Sequence, residues 1–361
     1  VSPSSCADAD AAGRLVKTTS TTARVPSRWT TTLDFSMNPS DFFTASRILI
    51  VAGKGGVGKT TVAATLGLAA SRLGLDTLLV EIEGKRGLAS LFDEPGLVYA
   101  DTELVDPAVK EGQAADGRLR ARTIRANDAL VDYFEDHGLR RFGKALTKMQ
   151  VLDTLATSTP GLKDLIVLGK IKQLEMAGAA DLIIVDAPAS GHAISFLRSA
   201  KGLQATIDTG PIRRQADEVV ALLTDPARAQ VLLVTLPEET PVNELIETAY
   251  AIEDEVGVRL GPAVVNGVYG AEDDTPTDVP VALLPELAAV DADIATAAAD
   301  AAAYWQRRAN SQAEQIERLT EELPLEQLTL PRRFTTRIGR TDVSDLADLM
   351  LAQLETLRFD Q

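Results

Sequence analysis

The chain contains little of the chemistry that disulfide scaffolds and metal centres require. Its 361 residues include one cysteine, Cys6, and two histidines, His137 and His192. One cysteine excludes an internal disulfide framework and a CxxC metal clip, and two histidines leave no histidine cluster for zinc. We therefore expect no zinc site, and we expect a reducing, cytoplasmic environment.

Long apolar runs, aromatic side chains and positive charge are also scarce. No run of about 18 apolar residues occurs, so no transmembrane helix and no stable membrane insertion are predicted. The formal net charge of −16 argues against a nucleic-acid surface and an electrostatic membrane anchor, because both need clustered lysines and arginines. An apolar content of 45% with only 4% aromatic residues is typical of an α/β protein rich in alanine, leucine and valine.

Residues 1–44 are predicted to be a disordered N-terminal extension. The stretch is rich in serine, threonine and alanine and shows no apolar periodicity over most of its length. It lacks the continuous apolar core of a signal peptide, and Asp8 and Asp10 are unusual in an organelle transit peptide. A translation start at Met37 is a further interpretation of the same stretch.

Apolar runs alternate with helical segments from residue 47 onward. The predicted strands of the sheet are 47–52, 76–82, 181–185, 230–236 and 262–265, and a further strand, 118–124, is predicted where the alternation weakens. The predicted helices include 61–74, 160–177, 192–200, 213–224 and 239–257. Runs that are apolar throughout indicate strands buried on both faces of a parallel sheet. The alternation predicts an α/β fold with a doubly wound, mostly parallel sheet. This domain is expected to cover residues 45–358, with a short, mainly helical insertion at about 93–160.

The clearest motif is a phosphate loop. Gly53 to Thr61 read Gly-Lys-Gly-Gly-Val-Gly-Lys-Thr-Thr, which fits the template G-x-x-x-x-G-K-[ST] between a strand and a helix. We expect Lys59 to reach the β- and γ-phosphates of ATP and the Thr60 hydroxyl to bind Mg²⁺. The other predicted nucleotide contacts are Gly53, Gly55, Gly56, Val57, Gly58 and Thr61. A glycine-rich turn without a ligand is the alternative.

Lys54 occupies a position for which the general template specifies nothing. It lies too far along the loop to duplicate the work of Lys59, but it can point at the phosphates of a neighbouring subunit, as an arginine finger does. A solvated loop lysine is the alternative. The sequence G-K-G-G-x-G-K-T-T resembles the deviant Walker A motif of the MinD/ParA/ArsA group of P-loop NTPases. That resemblance implies a nucleotide-sandwich dimer with Lys54 as a catalytic residue.

Asp186 follows an apolar strand, as a Walker B carboxylate does, and is predicted to hold Mg²⁺ through water. An aspartate that caps the next turn is the alternative. The segment Asp186–Leu197 resembles switch II of the arsenite-translocating and tail-anchored-protein-targeting ATPases, which is typically D-T-A-P-T-G-H-T-L-R-F-L. The resemblance implies that Gly191 approaches the γ-phosphate, although Pro188 comes one place earlier than in the family.

The same family carries a water-orienting aspartate after its second strand. Alignment on Leu88–Phe92 places Glu83 at that position and Glu81 at the first acidic position of the D-x-D found in MinD-like members. Glutamate has one more methylene than aspartate, and a displacement of about 1 Å costs on the order of a hundredfold in rate. Glu83 is therefore the predicted catalytic carboxylate, and slow hydrolysis is expected.

Asn266 ends a predicted strand where the family has V-N-Q or V-N-R. Its amide can pair with the adenine edge as donor and acceptor together, which favours ATP over GTP. An asparagine that caps the turn before Gly267 is the alternative. Residues 331–333 fall where the second adenine-side loop of the family lies.

The run Glu-Ile-Glu-Gly-Lys-Arg-Gly at residues 81–87, with Pro-Gly at 160–161, is similar to one subunit of an actinobacterial pair of ArsA-family ATPases. That likeness covers residues 45–357 and implies an ATP- and Mg²⁺-dependent switch. It would act on an unidentified protein client as a homodimer or as a heterodimer with a paralogous subunit. A nucleotide-binding regulatory subunit with little turnover is one alternative, and a MinD/ParA-like positioning ATPase is another. A nitrogenase-iron-protein-like reductase is excluded because its cluster needs several cysteines.

Overall fold

The computed structural model describes residues 38–82, 87–108, 117–136, 161–188, 190–269, 289 and 291–356. Its strands are β1 (Ile48–Gly53), β2 (Thr77–Ile82), β3 (Thr102–Glu103), β4 (Leu119–Ile124), β5 (Leu182–Asp186), β6 (Ala229–Thr235), β7 (Arg259–Leu260), β8 (Ala263–Val268) and β9 (Gln327–Pro331). Its helices are α1 (Pro39–Thr44), α2 (Lys59–Arg72), α3 (Gly87–Leu91), α4 (Ala126–Asp136), α5 (Leu162–Met176), α6 (Ser190–Thr206), α7 (Pro211–Thr224), α8 (Glu239–Ala251), α9 (Ala292–Glu322) and α10 (Arg340–Leu354).

The strands form one sheet with the order β3-β4-β2-β5-β1-β6-β8-β9, and β7 also pairs with β6. Among the described strands, every pairing except that of β3 with β4 is parallel. The strands that follow β1 lie first on one side of it and then, from β6 onward, on the other. The carboxyl end of β1 therefore lies at a topological switch point, where ligands bind in sheets of this kind.

Helices cover both faces of the sheet. Alternate residues of β1 belong to two hydrophobic clusters: Ile48 and Ile50 lie in one, and Leu49 and Val51 lie in the other. The first cluster includes apolar side chains of α5 to α8, and the second includes those of α2 and α10. All six residues of β1 are buried, as expected for a strand covered on both faces. The predicted α/β class and mostly parallel sheet are confirmed.

The predicted insertion at about 93–160 is partly wrong, because two strands of the sheet lie inside that range. β4 pairs in parallel with β2, and β3 pairs with β4 at the edge. Because β4 contains arginines, its sequence does not resemble that of a strand buried within a sheet. Arg120 is only 9% exposed, and its guanidinium lies 2.7 Å from Asp76 and 2.6 Å from Asp101. These carboxylates, supplied by other elements, allow a charged strand to be buried.

The predicted boundary at residue 44 is also wrong. Asn38 caps α1 by accepting a hydrogen bond from the Ser40 N–H at 3.0 Å. Phe42 and Phe43 are 3% and 1% exposed, and they lie in the cluster shared with α2 and α10. Buried phenylalanines contribute large apolar areas to a core, so α1 belongs to the domain and not to the extension.

The end of β8 is hydrogen-bonded to α9, the longest of the described helices. The Gln312 side chain accepts a hydrogen bond from the Tyr269 N–H at 2.8 Å and donates one to the Gly267 carbonyl oxygen at 3.2 Å. The helix thus satisfies backbone groups where β8 leaves the sheet. Within the part of the chain that the structure describes, no helix is long and apolar enough to cross a membrane.

Candidate active site

The phosphate loop begins where β1 ends. Gly53 has a φ of 150°, and a Cβ atom there would lie 2.3 Å from the Val234 carbonyl oxygen of β6. A larger residue would separate the two strands at this point, so glycine is required for the loop to leave the sheet. Gly55 and Gly56 lie exposed at the tip of the loop, and Val57 is buried beneath it.

The loop leads directly into the N-terminus of α2. The N-cap residue, Gly58, has a φ of +94° and no side chain with which to cap the first turn. The N–H groups of that turn, together with the helix dipole, are suited to bind an anion. Lys59 is 7% exposed, and its ammonium donates to the Lys54 carbonyl oxygen at 2.8 Å. A buried positive charge thus lies against the loop backbone, where a polyphosphate would be bound.

The two predicted Mg²⁺ ligands are in contact. The Thr60 hydroxyl on α2 donates to a carboxylate oxygen of Asp186 at 2.8 Å. Asp186 ends β5 opposite Val51 of β1, and it is fully buried. A hydroxyl and a carboxylate are the oxygen donors that Mg²⁺ prefers, so this pair fits the ion. Thr60 and Asp186 would hold the ion, which would supply positive charge against the negative charge that develops during phosphoryl transfer.

Asn266 contacts the phosphate loop itself. Its amide nitrogen donates to the Val57 carbonyl oxygen at 2.9 Å, although 209 residues separate the two in sequence. A Cβ atom on Gly58 would lie 2.2 Å from the same amide nitrogen. Asn266 therefore helps to hold the loop, a role that the sequence did not indicate. Its pairing with adenine stays a prediction.

Gly58→Ala is expected to destabilise the loop more than Gly56→Ala does. Both glycines have positive φ, at +94° and +88°, which costs other residues about 1–3 kcal/mol. Only the Cβ atom at position 58 also collides with Asn266, because nothing lies within 4 Å of a Cβ atom at position 56. Chemical unfolding of both variants measures the difference. Equal free energies of unfolding would show that the loop moves away from Asn266 at no cost.

Lys54 forms an ion pair with Glu244 of α8. Both side chains are about one third exposed, at 38% and 35%. Exposed pairs contribute about 0.2–1 kcal/mol, whereas a cation supplied in trans to a transferring phosphoryl group accelerates hydrolysis roughly 10³–10⁵-fold. The pair therefore holds Lys54 only weakly, and the role of Lys54 toward phosphate stays a prediction. Sequence reasoning missed Glu244, since nothing in its helix distinguishes it from the neighbouring acidic residues.

Comparison with known proteins agrees with this geometry. Residues 46–209 match the model of a protein family described as anion-transporting ATPase. The matched range contains the whole phosphate loop, Thr60 and Asp186. Over residues 46–209 the chain is therefore similar to the ArsA family of ATPases.

Three curated relatives are similar to the chain over more than half of its length. ATPase BagA of Mycobacterium tuberculosis (strain ATCC 25618 / H37Rv) is 34% identical over 229 residues, which are 61% of this chain and 64% of the relative. The arsenical pump-driving ATPase of Escherichia coli is 23% identical over 244 residues, 63% of this chain and 40% of the relative. ATPase ARSA1 of Chlamydomonas reinhardtii is 23% identical over 272 residues, 62% and 35% of the two chains. The chain thus spans less than two thirds of each relative.

The ArsA-type switch II segment follows directly from Asp186. Helix α6 begins at Ser190, so Gly191 lies in its first turn, and the helix packs against β1. The role of Gly191 toward the γ-phosphate stays a prediction, as does that of Thr61, which is buried in α2. Glu83, the predicted water-orienting residue, lies outside the described residues.

An aromatic cluster lies beyond the end of β8, and sequence reasoning missed it. The rings of Tyr269, Trp305 and Phe334 have centroids 5.1–5.8 Å apart. Arg308 lies over the Tyr269 ring at 5.9 Å and also pairs with Glu238 at 2.5 Å. The cluster joins α9 to the chain that follows β9.

Proposed function

We propose that the chain binds ATP with Mg²⁺ and hydrolyses it to ADP and phosphate as a dimeric molecular switch of the ArsA type. The observation that carries the proposal is the contact between Thr60 and Asp186 beside the buried ammonium of Lys59. Anion-binding backbone, a lysine and a divalent-ion ligand pair are the parts that phosphoryl transfer from a nucleotide needs. Relatives named as ATPases support the same reaction.

The roles divide among the elements that meet at the loop. The first turn of α2 and Lys59 bind the β- and γ-phosphates, and their positive charge stabilises the negative charge of the transition state. Thr60 and Asp186 hold Mg²⁺ at the end of the loop nearest β5. Asn266, beside the loop, is assigned to the adenine edge, and Glu83 to the attacking water.

Lys54 provides the reason to propose a dimer. In a single subunit its ammonium points away from the loop and toward Glu244 of α8. Because the Lys59 ammonium already lies against the loop backbone, we assign Lys54 to a second subunit's nucleotide. The partner is either a second copy of the chain or a paralogous subunit, and a protein client would respond to the nucleotide state.

The glutamate at position 83 favours one second function, a nucleotide-binding subunit that completes its partner's site while hydrolysing little. The two functions differ in how activity depends on protein concentration. Specific ATPase activity of the purified chain, measured over a wide concentration range, is expected to rise with concentration if the homodimer is sufficient. Nucleotide binding with flat, near-zero turnover would contradict the homodimer and point to a paralogous partner. Failure to bind any nucleotide would contradict both functions.

Asp186→Asn is expected to raise the Mg²⁺ concentration needed for half-maximal nucleotide binding by roughly 10–100-fold. The amide preserves the size of the side chain but removes the negative charge that orients and balances the ion. Titration of Mg²⁺ against a fluorescent ATP analogue measures the change. Nucleotide affinity measured with EDTA serves as the control, because it depends on the loop and not on the ion. An unchanged Mg²⁺ requirement would remove Asp186 from the metal site.

A further inference from the structure

Glu81 is a carboxylate in the interior of a buried strand. All six residues of β2 are buried, and Glu81 is only 1% exposed. Burial of a glutamate is unfavourable unless its carboxylate has partners, and the residue is rare in the middle of a parallel sheet. Neither the phosphate-loop template nor the proposed roles above assign it a task.

The Glu81 carboxylate binds the start of α3. One carboxylate oxygen accepts a hydrogen bond from the Leu88 N–H at 3.2 Å, seven residues further along the chain. Leu88 lies in the first turn of a helix of five residues, which is too short to be stable alone. The position of this turn therefore depends on its contacts, of which the bond to Glu81 is one.

The start of α3 lies against Thr60. A Cβ atom on Gly87 would lie 2.8 Å from the Thr60 methyl carbon and 3.4 Å from its hydroxyl oxygen. The Gly87 backbone therefore lies so close to Thr60 that even one side-chain carbon would not fit between them. The side chain is thus confined between α3 on one side and Asp186, which accepts its hydroxyl hydrogen, on the other.

The sheet register brings the same groups together. Glu81 lies opposite Asp186 in the parallel pairing of β2 with β5. Residues opposite each other in a parallel pair point to the same face of a sheet. For Glu81 and Asp186 this is the face covered by α2, because the preceding same-face residues, Leu79 and Ile184, belong to the cluster that contains α2.

We propose that Glu81 is a positioning residue for the Mg²⁺ ligand Thr60. By accepting the Leu88 N–H, it holds the start of α3 against Thr60 and so keeps the threonine hydroxyl directed at Asp186. The inference rests on the proposed function of the site, because it gives Thr60 the role of a metal ligand. The proposed role depends on the carboxylate oxygen of Glu81 that accepts the hydrogen bond and not on the negative charge of the side chain.

Two substitutions at position 81 distinguish the role of the hydrogen-bond acceptor oxygen from that of the negative charge. Glu81→Gln keeps an oxygen that accepts the Leu88 N–H and loses the charge, whereas Glu81→Ala loses both. The Mg²⁺ concentration for half-maximal binding of a fluorescent ATP analogue is expected to change less than about threefold in Glu81→Gln and to rise roughly 10–100-fold in Glu81→Ala. Nucleotide affinity with EDTA is expected to be the same in both. An equal rise in both variants would assign the effect to charge and overturn the proposal, as would no rise in Glu81→Ala.

Gly87→Ala tests the other contact, and it retains Glu81. Its Cβ atom would have to displace the Thr60 side chain, so the Mg²⁺ requirement is expected to rise as it does in Glu81→Ala. Ser90→Ala, in the same short helix but directed toward Arg337, is the matched control with an unchanged requirement. If Glu81→Ala does not fold, an unchanged Mg²⁺ requirement in Gly87→Ala overturns the proposal.

Amide hydrogen exchange of the nucleotide-free protein provides a readout that needs no ATP. The Leu88 amide is expected to exchange at least about tenfold faster in Glu81→Ala than in the parent, and at the parent's rate in Glu81→Gln. Unchanged exchange in Glu81→Ala would show that Glu81 does not hold α3. If the parent itself binds no nucleotide, the proposed function fails, whereas the exchange measurement still decides whether Glu81 anchors the helix.

Discussion

Lys59→Ala is expected to weaken ATP binding by at least about a hundredfold. Hydrogen bonds to charged groups contribute about 1.5–3 kcal/mol each, and every 1.4 kcal/mol is a factor of ten in affinity. The Lys59 ammonium is buried against the loop backbone, so no other lysine side chain takes its place when it is removed. Isothermal titration of ATP into the Mg²⁺-loaded protein measures the loss.

Lys54→Ala is the matched control for that measurement, since it removes a lysine from the same loop. Its ATP affinity is expected to remain within about threefold of the parent, because the side chain is directed at Glu244 and not at the subunit's own loop. Equal losses in the two variants would mean that both lysines bind the same nucleotide. Unchanged affinity in Lys59→Ala would contradict the phosphate site itself.

The second large effect is expected for Lys54→Ala, and it is a loss of turnover rather than of ATP binding. At saturating ATP and high protein concentration, its kcat is expected to fall roughly 10³–10⁵-fold, the range found when a cation supplied in trans is removed. The reason is that Lys54 acts only where charge develops on the transferring phosphoryl group of a neighbouring subunit. Steady-state phosphate release, measured with ATP binding on the same samples, separates kcat from affinity.

Mixing of Lys54→Ala with Asp186→Asn, at an Mg²⁺ concentration that saturates the parent but not Asp186→Asn, tests whether Lys54 acts across an interface. Lys54→Ala keeps its own Mg²⁺ ligands, and Asp186→Asn keeps its lysine. A mixed dimer therefore has one complete site, at the Lys54→Ala subunit. Random pairing in an equal mixture makes half of the dimers mixed, so about a quarter of the parent activity is expected. If the mixture stays inactive while the parent homodimer turns over, Lys54 acts within its own subunit.

The parts of the site geometry that could be predicted from the sequence depend on short-range order or on a general rule of parallel sheets. Gly53 and Gly58 are needed because a strand, a tight loop and a helix follow one another without a gap, and this arrangement is local. The meeting of Thr60 with Asp186 was predictable as well. Carboxyl ends of adjacent parallel strands lie at the same end of a sheet; Asp186 ends one such strand, and Thr60 lies in the helix that follows the other.

The contacts that sequence reasoning missed join residues far apart in the chain. Glu244 reaches Lys54 across 190 residues, and Asn266 reaches Val57 across 209. A local sequence pattern does not predict such pairs, because each depends on how two helices or loops pack against the sheet. The burial of Arg120 could not be predicted for a related reason. Arginines alternate along its strand, a pattern typical of an exposed strand, and the aspartates that neutralise Arg120 lie on other elements.

The hydrogen bond from Asn266 to Val57 also determines when the loop becomes ordered. Both partners of this bond belong to the chain itself, so the conformational entropy lost in forming it belongs to the free energy of folding and not to that of binding. A ligand then meets a surface that is already shaped for it. Association need not wait for a rearrangement of the loop, and differences in affinity among nucleotides would arise mainly in how fast each one dissociates.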